Sequence, residues 1–175
     1  SGSGKSTLAA ARPETAPAPP GAIHLSSDIE RKKLFKARDT DPLPPEAYTP
    51  DISAGIYARL EALAASALRA GRCVIVDATH LQAAGRAVLD ALARREGANF
   101  VGLWLDAPPD TLTRRVADRR HDPSDATEAV VAAQMKEETG AIAWRRFDSS
   151  LGVEPLVAQA LRVVQDKMLT AAEYS

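Results

Sequence analysis

The chain has 175 residues, the size of one domain and short for two. Hydrophobic residues make up 45% and charged residues 26%, which excludes wholesale disorder, and the large share of alanine suits a helix-rich fold. With a formal net charge of -1 there is no global attraction to nucleic acid or to an anionic membrane, so any anion site must be local.

The chain opens on Ser1-Gly2-Ser3-Gly4-Lys5-Ser6-Thr7. Gly4-Lys5-Ser6 is the second half of the pattern G-x-x-x-x-G-K-[ST], whose first glycine and feeding strand would lie ahead of Ser1. Glycines let backbone amides turn inward around phosphate oxygens; Lys5 supplies a cation and the Ser6 hydroxyl a metal ligand. Gly2, Ser3, Gly4, Lys5, Ser6 and Thr7 are therefore the candidate nucleotide cradle. A flexible Gly/Ser linker is the alternative, but only the functional reading requires Thr7-Leu8-Ala9-Ala10-Ala11 to continue as a helix. That helix is expected over residues 6–12, stopped by the proline-rich stretch Pro13 to Pro20.

Ala22 to Ser26 reads as a short strand, followed by Ser27-Asp28, a charged helix from Ile29 to about Ala37 and a second proline-rich loop from Asp39 to Pro50. From Asp51 to Ala70, Ile52, Ile56, Leu60, Leu63 and Ala67 share one helical face, and Gly71 ends the helix. Cys73-Val74-Ile75-Val76-Asp77 is an apolar run ending in an acid, the pattern of a buried parallel strand. Its lone cysteine, Cys73, cannot form an internal disulfide and indicates a reducing compartment. A helix over Ala83 to Glu96, a strand over Phe100 to Leu105 and a helix over Asp110 to Arg120 follow. After a polar break from His121 to Ser124 come a helix to about Glu138, a weak strand from Trp144 to Phe147 and a last helix from Val153 to about Leu169. Strands alternating with helices predict a parallel sheet in a layered α/β fold. No apolar stretch approaches the roughly 18 residues of a membrane span, and no signal peptide opens the chain, so a cytoplasmic protein is expected.

In doubly wound sheets ligands sit at the carboxyl ends of the strands. Three polar groups end apolar runs here: the glycine-rich loop, Ser27-Asp28, and Asp77 with Thr79. Asp28 precedes Arg31 by one helical turn, which puts a carboxylate and a guanidinium on one face. The carboxylate could take the proton of an attacking hydroxyl while Arg31 holds the acceptor; the alternative is a helix cap with its ion pair. Asp77 fits an acid that binds magnesium, together with Ser6. Arg114, Arg115, Arg119 and Arg120 precede the polar break, a suitable place for an arginine-bearing lid over about 119–127 that neutralises charge during transfer. Arg119 and Arg120, nearest the hinge, are the candidates. Asp125 with Glu128 reads as a capping pair and His24 as a strand residue without a role; Thr79 and His80 are close enough to Asp77 to contribute to the acceptor pocket, but a lone His80 is more often a solvated loop residue and is left out of the catalytic set.

With GSGKST, Ser27-Asp28-x-x-Arg31, Val74-Ile75-Val76-Asp77-Ala78-Thr79 and the arginines in this order, the sequence resembles the P-loop kinases, of the polynucleotide kinase and gluconate kinase-like kind, with an AAA-type ATP-binding domain. The stretch Val101 to Pro109, then Ser124 to Thr127 and Gln134, resembles more closely the kinase-like domain at the C-terminus of bacterial bifunctional proteins whose other half is similar to aminoglycoside phosphotransferases. The resemblance implies a three-layer P-loop NTPase sandwich with a mainly parallel sheet of about five strands, its first strand truncated here. It also implies ATP and Mg2+ as cofactors, Asp28 as general base, a small-molecule hydroxyl acceptor, and a fused or neighbouring phosphotransferase-like domain. The leading expectation is transfer of the γ-phosphoryl of ATP to that hydroxyl. A 5′-hydroxyl polynucleotide kinase would want a basic groove with stacking aromatics, and aromatics are only 5% of the chain; a non-catalytic ATP-binding regulatory module is the third reading.

Overall fold

A computed structural model of the chain describes residues 2–10, 21–118 and 123–172. Helix α1 (Lys5–Ala10) leads to strand β1 (Ala22–Ser26) and helix α2 (Ser27–Leu34), then helix α3 (Pro50–Arg69), strand β2 (Cys73–Asp77) and helix α4 (Ala83–Arg95). Strand β3 (Leu103–Asp106), helices α5 (Pro109–Ala117) and α6 (Glu128–Gln134), strand β4 (Arg145–Asp148) and helix α7 (Val153–Ala172) complete the order. Short 3-10 turns cover Pro45–Tyr48 and Ser149–Leu151.

Helix α3 is the spine of the first half. Thr49 caps it by accepting from the Ile52 amide, Pro50 stands in its first turn where a missing N–H costs nothing, and Ile56, Leu60 and Ala64 line its buried face. These residues form one core with Leu25 of β1 and Leu89 and Leu92 of α4. Leu8 of α1, Phe147 of β4, and Leu156 and Ala160 of α7 form a second.

β1 and β2 pair in parallel with Ser26 opposite Asp77, so the two strands end level, and α2 starts beside the last residue of β2. β3 and β4 also pair in parallel, Asp106 opposite Asp148. The described residues thus hold two two-stranded parallel sheets, not the single sheet of about five strands that the sequence led us to expect. A slot of about 560 Å³ has walls that include Val74 and Val76 of β2 and Leu103 and Leu105 of β3. No described strand pairs with both of these edges. It follows that β2, expected to be buried throughout, is half-buried from Cys73 to Val76 and fully buried only at Asp77. Two of the buried polar groups without a hydrogen-bond partner, the Arg72 Nε and the His80 ring, also border the slot.

Unpaired parallel edges and exposed apolar side chains both carry a free-energy cost. The expectation to test is that an apolar strand of about five residues, joined ahead of Ser1, pairs with these edges. We expect such an extension to raise the Tm by roughly 10 °C, and to slow amide exchange at Val74, Val76, Leu103 and Leu105. An unchanged Tm with unchanged exchange at these amides would show that the slot does not accept a strand.

Candidate active site

Gly2 and Gly4 both have left-handed backbones, with φ of 79° and 83°, and between them the chain reverses into α1. A side chain at Gly2 would be strained there and would also collide with the Leu112 carbonyl, 2.7 Å from an ideal Cβ. The Leu8 amide closes the first turn on the Gly4 carbonyl at 3.0 Å, which leaves the amides of the preceding residues without helical partners, as at any helix N-terminus. Lys5 is half-buried, and its charge acts on Asp28, Asp77 and His80. It therefore stands at the meeting point of α1, α2 and the end of β2.

Asp77, 6% exposed, receives a hydrogen bond from Ser6 and faces His24 Nε2 at 3.3 Å. Burial pushes its carboxyl up, but His24, the Lys5 charge and Ser6 together outweigh burial and hold it below the usual carboxylate range. Ser6 and Asp77 offer hard oxygens side by side. Among the described residues no group of three or more His, Cys, Asp and Glu could hold a metal ion. A hydroxyl with a single carboxylate is nonetheless the donor set that suits magnesium sharing its shell with water and phosphate oxygens. The residues present fit that ion.

Asp28 lies in the first turn of α2, whose N-cap is Ser26, and Ser26 makes no side-chain capping bond. The Asp28 carboxyl meets Ser124 instead. Burial raises its pKa above the ordinary 3.8 and the Asp77 charge adds to this, while Lys5, Ser124 and Arg31 pull only part of the way back. Arg31, 6% exposed, is directed to the wall of the site: it donates to the Ala47 carbonyl and, at 3.4 Å, to Ser53 Oγ. Its guanidinium lies 4.8 Å from the centre of the Tyr48 ring. The structure therefore brings Lys5, Ser6, Asp28 and Asp77 together, with Arg31 behind Asp28. Arg119 and Arg120, with His121 and Asp122, lie outside the described residues; Arg114 is exposed, and Arg115 donates to the Ser149 carbonyl at 2.8 Å.

Four residues have work that the sequence did not disclose. Thr127, not Asp125, caps α6 by accepting from the Val130 amide; Asp125 accepts from Lys32 at 2.6 Å, from Tyr48 at 2.5 Å and from the Leu43 amide at 3.0 Å. Arg86, 4% exposed, donates to the carbonyls of His80, Leu81, Thr139 and Ala141 and so ties the turn after β2 to the segment after α6. A basic residue on the buried side of an amphipathic helix was the available signal. His24, read as a strand residue without a role, braces Asp77.

His80 is not a solvated loop residue. It is 5% exposed, has a left-handed backbone with φ of 43°, and sits edge-on to Tyr57 and Trp144. Burial lowers its pKa to about 4, with Lys5 and Arg86 acting in the same direction and Asp77 against them. Because the folded pKa lies below the unfolded value of 6.5, stability is fully present above pH 6.5 and falls as the pH drops towards about 4. Asparagine tolerates the left-handed backbone and does not titrate, so His80→Asn should flatten the stability profile between pH 6.5 and 4.5. Parallel profiles for wild type and variant in denaturant titrations would contradict this.

A cavity of about 320 Å³ opens beside the glycine-rich loop, between Ser3, Lys5 and Thr79 on one side and Trp104, Gln134 and Arg146 on the other. Thr79 Oγ1 shares a hydrogen bond of 3.0 Å with the Tyr57 hydroxyl. Of the cluster of Lys5, Asp28 and Asp77, it is Lys5 that borders this space.

Comparison with solved structures gives the same fold. A gluconokinase from Sinorhizobium meliloti 1021 aligns with a TM-score of 0.66 at 21% identity, covering 100% of this chain and 93% of the other. A sugar kinase from Janibacter sp. HTCC2649 aligns at 0.62 and 22% identity, covering 94% and 90%. At these identities the likeness establishes the fold alone, an α/β fold with parallel strands. No curated protein matches the sequence. The family model described as AAA domain matches residues 1–139, a span that holds the glycine-rich loop, Asp28, Arg31 and Asp77. The chain belongs to the AAA domain family.

Proposed function

We propose that the chain is an ATP-dependent phosphotransferase that moves the γ-phosphoryl of ATP to a hydroxyl of a small-molecule acceptor. One observation carries this reading: a carboxyl with a raised pKa, that of Asp28, shares a site with a phosphate-loop lysine and a Ser6–Asp77 oxygen pair. In this reading the backbone amides of Gly2 to Ser6 and the Lys5 ammonium hold the β and γ phosphates. Ser6 and Asp77 would hold Mg2+, which when bound supplies charge neutralisation at those phosphates. Asp28 takes the proton of the acceptor hydroxyl as its oxygen bonds to the γ-phosphorus; the bond from that phosphorus to the bridging oxygen breaks and ADP leaves with the electron pair. Arg31 shapes the acceptor wall through Ala47, Ser53 and Tyr48.

The similarity to a gluconokinase and a sugar kinase favours polyhydroxylated acceptors. A neighbouring phosphotransferase-like domain and a cytoplasmic setting are part of the same proposal; no described helix is long and apolar enough to cross a membrane. The test is ADP production from ATP and Mg2+ against a panel of D-gluconate, hexoses, glycerol and other hydroxyl metabolites, with 5′-hydroxyl oligonucleotides alongside. Acceptor-stimulated turnover with a small polyol or sugar acid supports the reading. Stimulation by the oligonucleotides alone would transfer it to polynucleotides, and no stimulation by any acceptor would remove it.

A further inference from the structure

We propose that Asp125 is a positioning residue of the acceptor half of the site, holding the loop of residues 39–48 against α2 so that the wall behind Asp28 is formed. This rests on the phosphotransferase reading for the word acceptor, but the coupling itself rests on geometry.

Lys32 is 0% exposed, and a cation without water must be matched by buried partners. Its ammonium donates to the Asp41 carbonyl and to Asp125 Oδ1, so both partners come from outside its helix. The other oxygen of Asp125 accepts from the Tyr48 hydroxyl and the Leu43 amide. One carboxylate thereby gathers α2, residue 43 and residue 48, which are 93, 82 and 77 positions away in the chain. Two of the three donors belong to the 39–48 loop, most of whose residues are exposed, so apolar burial contributes little to its order. The Tyr48 ring, fixed through its hydroxyl, lies against the Arg31 guanidinium, which also grips Ala47 and Ser53.

The neighbour of Asp125 completes the arrangement. Ser124 hydrogen-bonds Asp28, so adjacent residues of one loop touch the proposed base and the wall behind it. An acceptor hydroxyl presented to Asp28 would therefore meet a surface whose shape depends on Asp125. The three donors also hold the Asp125 carboxyl below the usual range against the effect of burial, as expected for an ionised group that is fully used.

The experiment compares wild type, Asp125→Asn and Tyr48→Phe by steady-state kinetics with the panel acceptor of highest kcat/KM, and by amide exchange of each protein without ligand. Asparagine keeps an oxygen for Lys32, but its amide nitrogen can accept from neither Tyr48 nor Leu43. We expect KM for the acceptor to rise about tenfold in Asp125→Asn while KM for ATP changes less than about twofold, with a smaller rise in Tyr48→Phe. Exchange should quicken in residues 39–48 and remain unchanged in α4, β3 and β4. If both KM values rise together, or exchange quickens throughout the chain, Asp125 is only a scaffold residue and the proposal fails. If wild type phosphorylates nothing in the panel, the phosphotransferase reading is lost and the exchange comparison alone decides: local quickening in 39–48 upholds the coupling, and no change there overturns it.

Discussion

Lys5→Ala abolishes detectable binding of ATP with Mg2+ while the helical content of the chain stays unchanged. Apart from Lys5, Gly2 to Ser6 can offer phosphate only backbone dipoles and hydroxyls, and Asp28 and Asp77, both within reach of its charge, are carboxyls that Lys5 itself helps to keep ionised. Removing the ammonium deletes the cation that would meet the β and γ phosphates and leaves two carboxylates facing an anionic ligand, so both effects oppose binding. The helix does not depend on Lys5, because α1 is held by Leu8 in the core it shares with Phe147 and Leu156. Calorimetry with ATP and Mg2+ on samples matched by circular dichroism reads the result, and equal affinity in the two proteins would mean that residues 2–7 are not a phosphate loop. Ser6→Ala should act differently: nucleotide still binds, but the dependence of binding on Mg2+ weakens, since Asp77 would be left as the single protein donor to the ion.

Much of this site is legible in the sequence because its residues sit at the ends of local patterns. The apolar runs of β1 and β2 stop at Ser26 and Asp77, as read, and parallel pairing in level register converts two separated stops into neighbours. Helix α3 follows from its apolar spacing within one residue at each end. Elsewhere tertiary contacts override local signals. The strand expected from Phe100 starts at Leu103, where the chain has passed Gly102, a glycine pressed against the Trp144 ring so closely that a Cβ would lie 2.4 Å from it. The helix expected to reach Glu138 stops at Gln134, and soon after it the carbonyls of Thr139 and Ala141 are drawn to Arg86. The role of Asp125 was not readable at all. A local rule assigned it to a cap three residues from Glu128, and nothing in the sequence signals donors some 77 to 93 positions away. The sheet fails for a similar reason: alternation of strands and helices predicts parallel pairing, which occurs, but says nothing about whether each pair has a neighbour.

Asp28→Asn separates catalysis from helix capping, and stability and rate should move in opposite directions. As a base, Asp28 must be ionised, and removing the charge should lower kcat by roughly 10²-fold or more with ATP affinity nearly constant. The raised pKa places the acid limb of wild-type kcat above the ordinary carboxylate value of 3.8. The same shift has a thermodynamic consequence. A carboxyl that holds its proton more tightly in the folded state than in the unfolded one costs stability as the pH rises from 3.8 through the folded pKa, and that cost persists at neutral pH. Asparagine is neutral at every pH, so Asp28→Asn should have a higher Tm than wild type at pH 7 and the same or a lower one at pH 3, a trade of stability for activity that is usual where a site holds a desolvated charge. A helix cap predicts otherwise: asparagine caps as well as aspartate, so rate and Tm would both remain near wild type, and only Asp28→Ala would lower the Tm. In the structure Ser26, not Asp28, holds the N-cap position of α2, and the Asp28 carboxyl meets Ser124. Full activity in Asp28→Asn together with a lowered Tm in Asp28→Ala would assign the residue to the helix and leave the phosphotransferase without its base.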